Sequence, residues 1–265
     1  MNTLTKKAEA AHREALRLVD LSRDLTDDEK RFVLDNYRSS TSPRQVCDAA
    51  FFTPLPLASQ LNHHVYGTRV IDLCAGIGHL AFLHRSTLPG DPPRTLVCVE
   101  RNREYVRIGR KVLPEAVWYC QDVLRLAASM PQQFHTAIAN PPFGAGAGSA
   151  TTCGYRGRRF EYHVIAAASR LAERGVFLVP QSSAPFTYSG SGRYRADDSD
   201  PEYQRFTRAT GIVLGPNVGI DTSLYDEFWH HRPPATEVVT CDFRSATCST
   251  PPGTGRRAPT VKASP

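Results

Sequence analysis

The segment Ala137-Ile138-Ala139-Asn140-Pro141-Pro142-Phe143-Gly144 runs from apolar residues through one amide and two prolines to an aromatic ring. Two successive prolines stop a strand and fix a rigid turn. That accounts for Pro141 and Pro142 but not for Asn140 before them or Phe143 after them. Together the four suit one kind of chemistry. The side-chain oxygen of Asn140 and the carbonyl of Pro141 can each accept a hydrogen bond from an amino group whose lone pair is delocalised into a ring, such as the exocyclic nitrogen of adenine. Two such acceptors favour a pyramidal nitrogen and aim its lone pair at an electrophile. Phe143 can stack on the ring, a contact worth about 1–3 kcal/mol per base in nucleic-acid complexes. No strong general base is needed, because the nitrogen becomes cationic on attack and loses its proton afterwards. Positioning and preorganised dipoles then carry the rate.

A second constellation lies upstream. Val70-Ile71-Asp72-Leu73-Cys74-Ala75-Gly76-Ile77-Gly78 ends an apolar run in a carboxylate and a glycine turn, and glycine lets a backbone approach a ligand closely. Gly76-x-Gly78-x-x-Ala81 also matches the dinucleotide fingerprint, with Glu100 about 20 residues on. Asp72 argues against phosphate at this turn and suits a cationic amino-acid end instead. Glu100 ends a second apolar run and Asp122 follows a third. The two oxygens of one carboxylate can take both hydroxyls of a ribose.

These residues need a sheet to position them. Arg69–Leu73, Thr95–Val99, Val117–Cys120, Thr136–Ala139 and Gly175–Val179 read as strands, and the stretches 78–86, 102–112 and 160–173 as helices. Such alternation predicts a mostly parallel α/β sheet with helices on both faces. Gly211–Leu214 and Glu237–Phe243 are expected to close it as an antiparallel edge, giving seven strands. Residues 4–20 read as an amphipathic helix, and Thr26-Asp27-Asp28-Glu29 as a capping box opening another. Residues 181–210 read as a long irregular segment. The predicted organisation is an N-terminal helical extension over 1–43, an α/β domain over 44–244 and a disordered Pro/Gly/Ser-rich tail over 245–265.

In its 265 residues, 41% hydrophobic and 22% charged, the chain has room for one such domain. No apolar run reaches the ~18 residues of a membrane span, and the N-terminus lacks a secretory core; a cytoplasmic location is expected. The seven cysteines are odd in number and form no C-x-x-C pair, so neither a disulfide framework nor a metal site is expected. A net charge of +6 is compatible with a polyanionic partner.

The order of these motifs resembles the class I S-adenosylmethionine-dependent methyltransferases over roughly residues 44–180. The Asn-Pro-Pro-Phe segment resembles that of N6-adenine-specific DNA methyltransferases. Phe51-Phe52-Thr53-Pro54 is similar to the segment that precedes the glycine motif there and closes over the cofactor. The resemblance implies a Rossmann-like fold and S-adenosylmethionine as cofactor. Phe52, Thr53, Pro54, Asp72, Ala75, Gly76, Gly78, Glu100, Arg101, Asp122, Val123 and Asn140 would line its site: Asp72 toward the methionine end, Glu100 at the ribose, Asp122 at the adenine amino group. Asn140, Pro141, Pro142 and Phe143 would carry catalysis.

The implied substrate is adenine in DNA, with adenine in RNA, a protein glutamine amide, or non-catalytic nucleic-acid binding as alternatives. No large target-recognition domain fits in the chain, so specificity would be modest, built into residues 144–210, or supplied by a protein partner; a monomer or weak oligomer is expected. Arg156, Arg158 and Arg159, and the interleaved Tyr188, Arg193, Tyr194, Arg195, Tyr203 and Arg205, are candidates for contacting nucleic acid. Arg103, Arg107, Arg110 and Lys111 form a basic stripe on the helix after the second strand, read as a solvated face.

Overall fold

The computed structural model describes residues 6–38, 51–85, 91–144, 152–216, 218–230 and 234–244. The expected tail, residues 39–43 of the expected N-terminal extension and residues 145–151 lie outside these residues. Two helices come first, α1 (Lys6–Val19) and α2 (Asp27–Asn36). The predicted capping box opens α2. The Thr26 hydroxyl accepts from the Glu29 amide at 3.3 Å, and the Thr26 amide donates to the Glu29 carboxylate at 2.8 Å. Then follow α3 (Leu55–Asn62), β1 (Arg69–Leu73), α4 (His79–Phe82), β2 (Thr95–Glu100), α5 (Arg103–Val112), β3 (Val117–Cys120), α6 (Val123–Ser129) and β4 (Phe134–Ala139). The chain continues through α7 (Phe160–Ala168), β5 (Ala172–Pro180), the short β6 (Phe186–Thr187) and β7 (Arg195–Ala196), α8 (Pro201–Thr210), a 3-10 segment (Thr222–Phe228) and β8 (Thr236–Asp242).

The main sheet has the order β3-β2-β1-β4-β5-β8, parallel except for β8, which runs antiparallel to β5. Side chains alternate across it, as the two-residue strand period demands. Val70, Leu96 and Cys98 point into a core shared with α1, α2 and α5, while Ile71, Leu73, Val97 and Val99 enter the core on the α7 and α8 side. The order reverses between β1 and β4. That leaves a crevice at the carboxyl ends of the strands, the usual ligand position in such sheets. Asp72 lies opposite Cys98 on one side and Ile138 on the other. Both acidic strand ends and Asn140 therefore reach one edge of the sheet.

Several expectations are corrected. The sheet has six strands among the described residues, not seven. Gly211 turns left-handed (φ +70°) to cap α8, and beyond Leu214 the Gly215 amide reaches the Thr240 carbonyl at 2.7 Å without a ladder among the described residues. The helix expected over 78–86 is four residues long before the chain turns. The segment 181–210 is not irregular throughout: it holds β6, β7 and α8, which Asp200 caps with Pro201 in the first turn. Cys74, Cys98, Cys120 and Cys241 are free thiols, but Cys153 is disulfide-bonded, its partner outside the described residues. Cysteine spacing alone could not foresee this pairing. No helix of the described residues is long and apolar enough to cross a membrane, and among them no three His, Cys, Asp or Glu side chains group to hold a metal ion.

Candidate cofactor and substrate site

The glycine turn is shaped by backbone geometry that side chains disfavour. Cys74, Gly76 and Gly78 all have positive φ, of 65°, 57° and 102°. At Gly76 the exclusion is double, because a Cβ there would also sit 2.9 Å from the Phe52 ring. The turn is tied to β2 by the Ala75 amide on the Val99 carbonyl (2.9 Å) and by the Gly76 amide on Glu100 Oε2 (2.9 Å). Glu100 Oε1 accepts from the Asn102 amide at 2.8 Å. One carboxylate thus holds two loops at the carboxyl edge. Its burial pushes the Glu100 carboxyl up, opposed by these amides.

Asp72 is 1% exposed. Its Oδ2 accepts from the Ala81 amide at 3.2 Å, the third residue of α4, and so serves a helix whose own N-cap, Gly78, has no side chain. Its Oδ1 is buried and has no hydrogen-bond partner among the described residues. Burial pushes this carboxyl well above the usual range; the Ala81 amide opposes the rise and the charge of Glu100 adds to it. A buried acceptor without a donor is costly, and a cationic amine in the crevice would satisfy it.

Phe52 covers the turn. Its ring stacks on His79 (centroids 5.2 Å apart, planes at 16°) and meets Tyr105 edge-on at 5.3 Å. Burial lowers the His79 pKa to about 4, so the ring is neutral at pH 7. Its Nε2 carries the proton and donates to the Leu34 carbonyl at 2.9 Å. The Phe-Phe-Thr-Pro segment is thereby fixed to the N-terminal helices as well as to the turn.

At the end of β4, Asn140 meets the same segment. Its Nδ2 donates to the Phe51 carbonyl at 2.7 Å and to Thr53 Oγ1 at 3.0 Å. Both amide protons are used, so the opposite end of the group, Oδ1, is the acceptor. A backbone carbonyl can only accept, so Phe51 fixes the sense of the amide; the Thr53 hydroxyl, 3% exposed, could serve either sense. Pro141 is buried, Pro142 exposed and Phe143 half-buried. Gly144 (φ +96°) donates its amide to Glu161 Oε2 at 3.3 Å, and Glu161 Oε1 accepts from Ser183 at 2.7 Å. This buried carboxylate anchors the far side of the Pro-Pro turn.

The structure therefore brings Phe52, Thr53, Asp72, Ala75, Gly76, Gly78, Glu100 and Asn140 into one connected cluster, with Pro54 capping α3 beside it. Asp122 and Val123 stand at the same sheet edge, after β3. Asp122 is the N-cap of α6, its Oδ1 accepting from the Leu124 and Arg125 amides, and Val123 is buried as the first residue of that helix. Arg101 is exposed. Sequence reasoning named Phe51 only as part of its segment and missed Glu161 and Ser183. Phe51 acts through its backbone, which no residue type signals. Glu161 and Ser183 act across 22 residues.

No protein-family model matches the chain, and no curated protein matches it. Solved structures do. A protein from Listeria monocytogenes assigned as a class I S-adenosylmethionine-dependent methyltransferase aligns with TM-score 0.56 at 13% identity, over 90% of this chain and 81% of that one. A type I restriction-modification methyltransferase subunit from Streptococcus thermophilus aligns with TM-score 0.52 at 14% identity, over 83% of this chain. A modification subunit of a type I restriction enzyme from Vibrio vulnificus gives 0.50 at 16%. The fold is the Rossmann-like fold of the class I methyltransferases. The chain spans 51% and 50% of the two restriction-modification subunits.

Proposed function

We propose that the chain transfers a methyl group from S-adenosylmethionine to the N6 amino group of adenine in DNA. The observation that carries this reading is the anchored amide of Asn140. With Nδ2 spent on Phe51 and Thr53, Oδ1 is left as an acceptor at the carboxyl edge, and the Pro141 carbonyl follows next in the chain. That pair can orient an NH2 group without competing donors. When bound, the cofactor supplies a methyl sulfonium as electrophile. Asp72 Oδ1 would hold its amino-acid end, Glu100 its ribose and Asp122 its base, while Gly76 and Gly78 supply the positive-φ turn on which its body would lie. The unpartnered, buried Oδ1 of Asp72 fits a cationic group there.

The protein's own part is electrostatic and positional. Asn140 and Pro141 draw the two amino protons to one side of the base plane, which makes the nitrogen pyramidal and aims its lone pair to the other side. Phe143 supports the base by stacking. The protein need only release a proton to water after attack. A target adenine in duplex DNA must leave the stack to reach Asn140. The likeness to methyltransferase and modification subunits of restriction systems, of which the aligned region covers about half, supports a protein partner for target recognition.

An Asn140→Ala variant tests the assignment. Methylation should fall at least about a hundredfold while S-adenosylmethionine affinity, measured by calorimetry, stays within about threefold. Loss of cofactor binding or of the cooperative melt in this variant would refute the role given to Asn140.

A further inference from the structure

The basic stripe on α5 is not a plain solvated face. Together with α1 it walls an open groove of about 650 Å³ lined by Val19, Arg103, Val106, Arg107, Arg110, Lys111 and Cys120. Four cations line it. Among the described residues, Arg107 alone is neutralised, by Glu104 at 2.8 Å and Asp20 at 2.9 Å. Arg110 donates to the Trp118 carbonyl, and Lys111 to the carbonyls of Leu21 and Arg23, so their charges meet no carboxylate there. Arg103 is exposed and pairs with no carboxylate among the described residues.

The position of the groove matters as much as its charge. Arg103 begins α5 three residues after Glu100, and Cys120 ends β3. The groove therefore opens at the same carboxyl edge as Asn140. Strand β3 is three places from β4, about 14 Å at the usual strand spacing. Roughly 14 Å of duplex axis carries about eight phosphates. A duplex presenting a base at Asn140 would thus bring part of its backbone within reach of this groove.

We infer that the groove between α1 and α5 is a docking site for the phosphate backbone of duplex DNA, held by Arg103, Arg110 and Lys111. The site lies on the opposite face of the sheet from α7, and it gives the N-terminal helices a share in substrate binding. The choice of DNA as occupant rests on the proposed function; the charge complementarity does not. Phosphate contacts of this kind carry affinity without reading sequence.

The test uses the full chain, a fluorescently labelled 30-base-pair duplex and a salt titration of binding. The double variant Arg103→Ala/Arg110→Gln should bind at least about tenfold more weakly at low salt. The slope of log affinity against log salt should fall by about 2, one for each phosphate no longer neutralised. S-adenosylmethionine affinity and the melting temperature should not change. Arg103→Ala alone, at an exposed position, should lower the slope by about 1 and keeps the test valid if the double variant melts early. An unchanged slope and affinity for both variants would overturn the inference, as would a loss confined to an RNA duplex of the same sequence. The readout is binding. A wild-type chain that binds the duplex with this slope but methylates no adenine would sink the proposed function and leave the groove standing. A wild-type chain that binds no DNA would overturn the groove.

Discussion

Replacing Asn140 by aspartate probes the anchored amide more sharply than removing it. The substitution keeps shape and keeps an acceptor for the substrate, but it removes both donors. The Phe51 carbonyl, 2.7 Å from Nδ2, would then face a carboxylate oxygen with no proton between them. The Thr53 hydroxyl at 3.0 Å can turn and donate; Phe51 cannot. The loss of one hydrogen bond costs about 1 kcal/mol, and two acceptors left face to face in a partly buried site cost about 1–3 kcal/mol more. If the sum of about 2–4 kcal/mol falls on the reacting geometry, kcat drops about 30- to 900-fold. Protonation reverses the defect, because a neutral carboxyl donates to Phe51 and still accepts from the substrate. The carbonyl dipole should raise the new carboxyl above the ordinary aspartate value of about 3.9. Activity relative to wild type should therefore climb as pH falls from about 8.5 to about 5.5. The assay is initial rate of labelled methyl transfer at saturating cofactor across that range. A variant with near wild-type kcat, or with a relative rate independent of pH, would refute the claim that Phe51 and Thr53 set the sense of the amide.

Other outcomes follow from the same geometry. The folded-state pKa of Asp72 lies above its unfolded value, so the contribution of this group to the stability of the ligand-free protein is fully present below about pH 4 and is lost as pH rises through the folded pKa. Asp72→Asn should then raise the melting temperature near neutral pH, with the gain vanishing near about pH 4, and should weaken S-adenosylmethionine about tenfold or more by calorimetry. Gly76→Ala must strain a φ of +57° and push Phe52 away; cofactor affinity should fall at least about tenfold with the fold retained by circular dichroism. In Gly109→Ala the new methyl would lie 2.1 Å from the Trp118 ring, which should lower stability by about 1–3 kcal/mol in urea titration. Glu237, fully buried, accepts from Gln181, the Tyr188 and Ser189 amides and the Ser189 hydroxyl. Glu237→Leu leaves those donors unsatisfied and should cost at least about 3 kcal/mol in the same titration.

Much of the parallel sheet was legible because buried strands write their own pattern. Arg69–Leu73 and Val117–Cys120 match the predicted bounds, and β2, β4 and β5 were expected within a few residues. The Thr26 box was legible because both partners lie within one turn. The edge was harder. A strand held at one side by a single bond from Gly215 has the composition of a strand without its ladder. Helix α8 was hidden by the polar, tyrosine-rich stretch before it, although Asp200-Pro201 carries the start signal. In the site, the types and order of Asp72, Gly76, Gly78, Glu100, Asn140 and Phe143 could be read directly. Their connections could not. The bonds from Asn140 span 89 and 87 residues, and one ends on a backbone carbonyl. The cover of Phe52 by His79 and Tyr105 likewise depends on packing between distant elements.

The central claim is that the Asn140 amide directs methylation to the amino group of adenine in DNA. The most direct measurement is transfer of tritiated methyl from S-adenosylmethionine to unmethylated DNA, total RNA and cell protein in parallel, with the labelled products resolved as nucleosides or amino acids. The account predicts label in N6-methyl-2′-deoxyadenosine, abolished by Asn140→Ala. Label only in RNA or only in glutamine would contradict the substrate, and no label in any polymer despite cofactor binding would contradict catalysis by this chain alone.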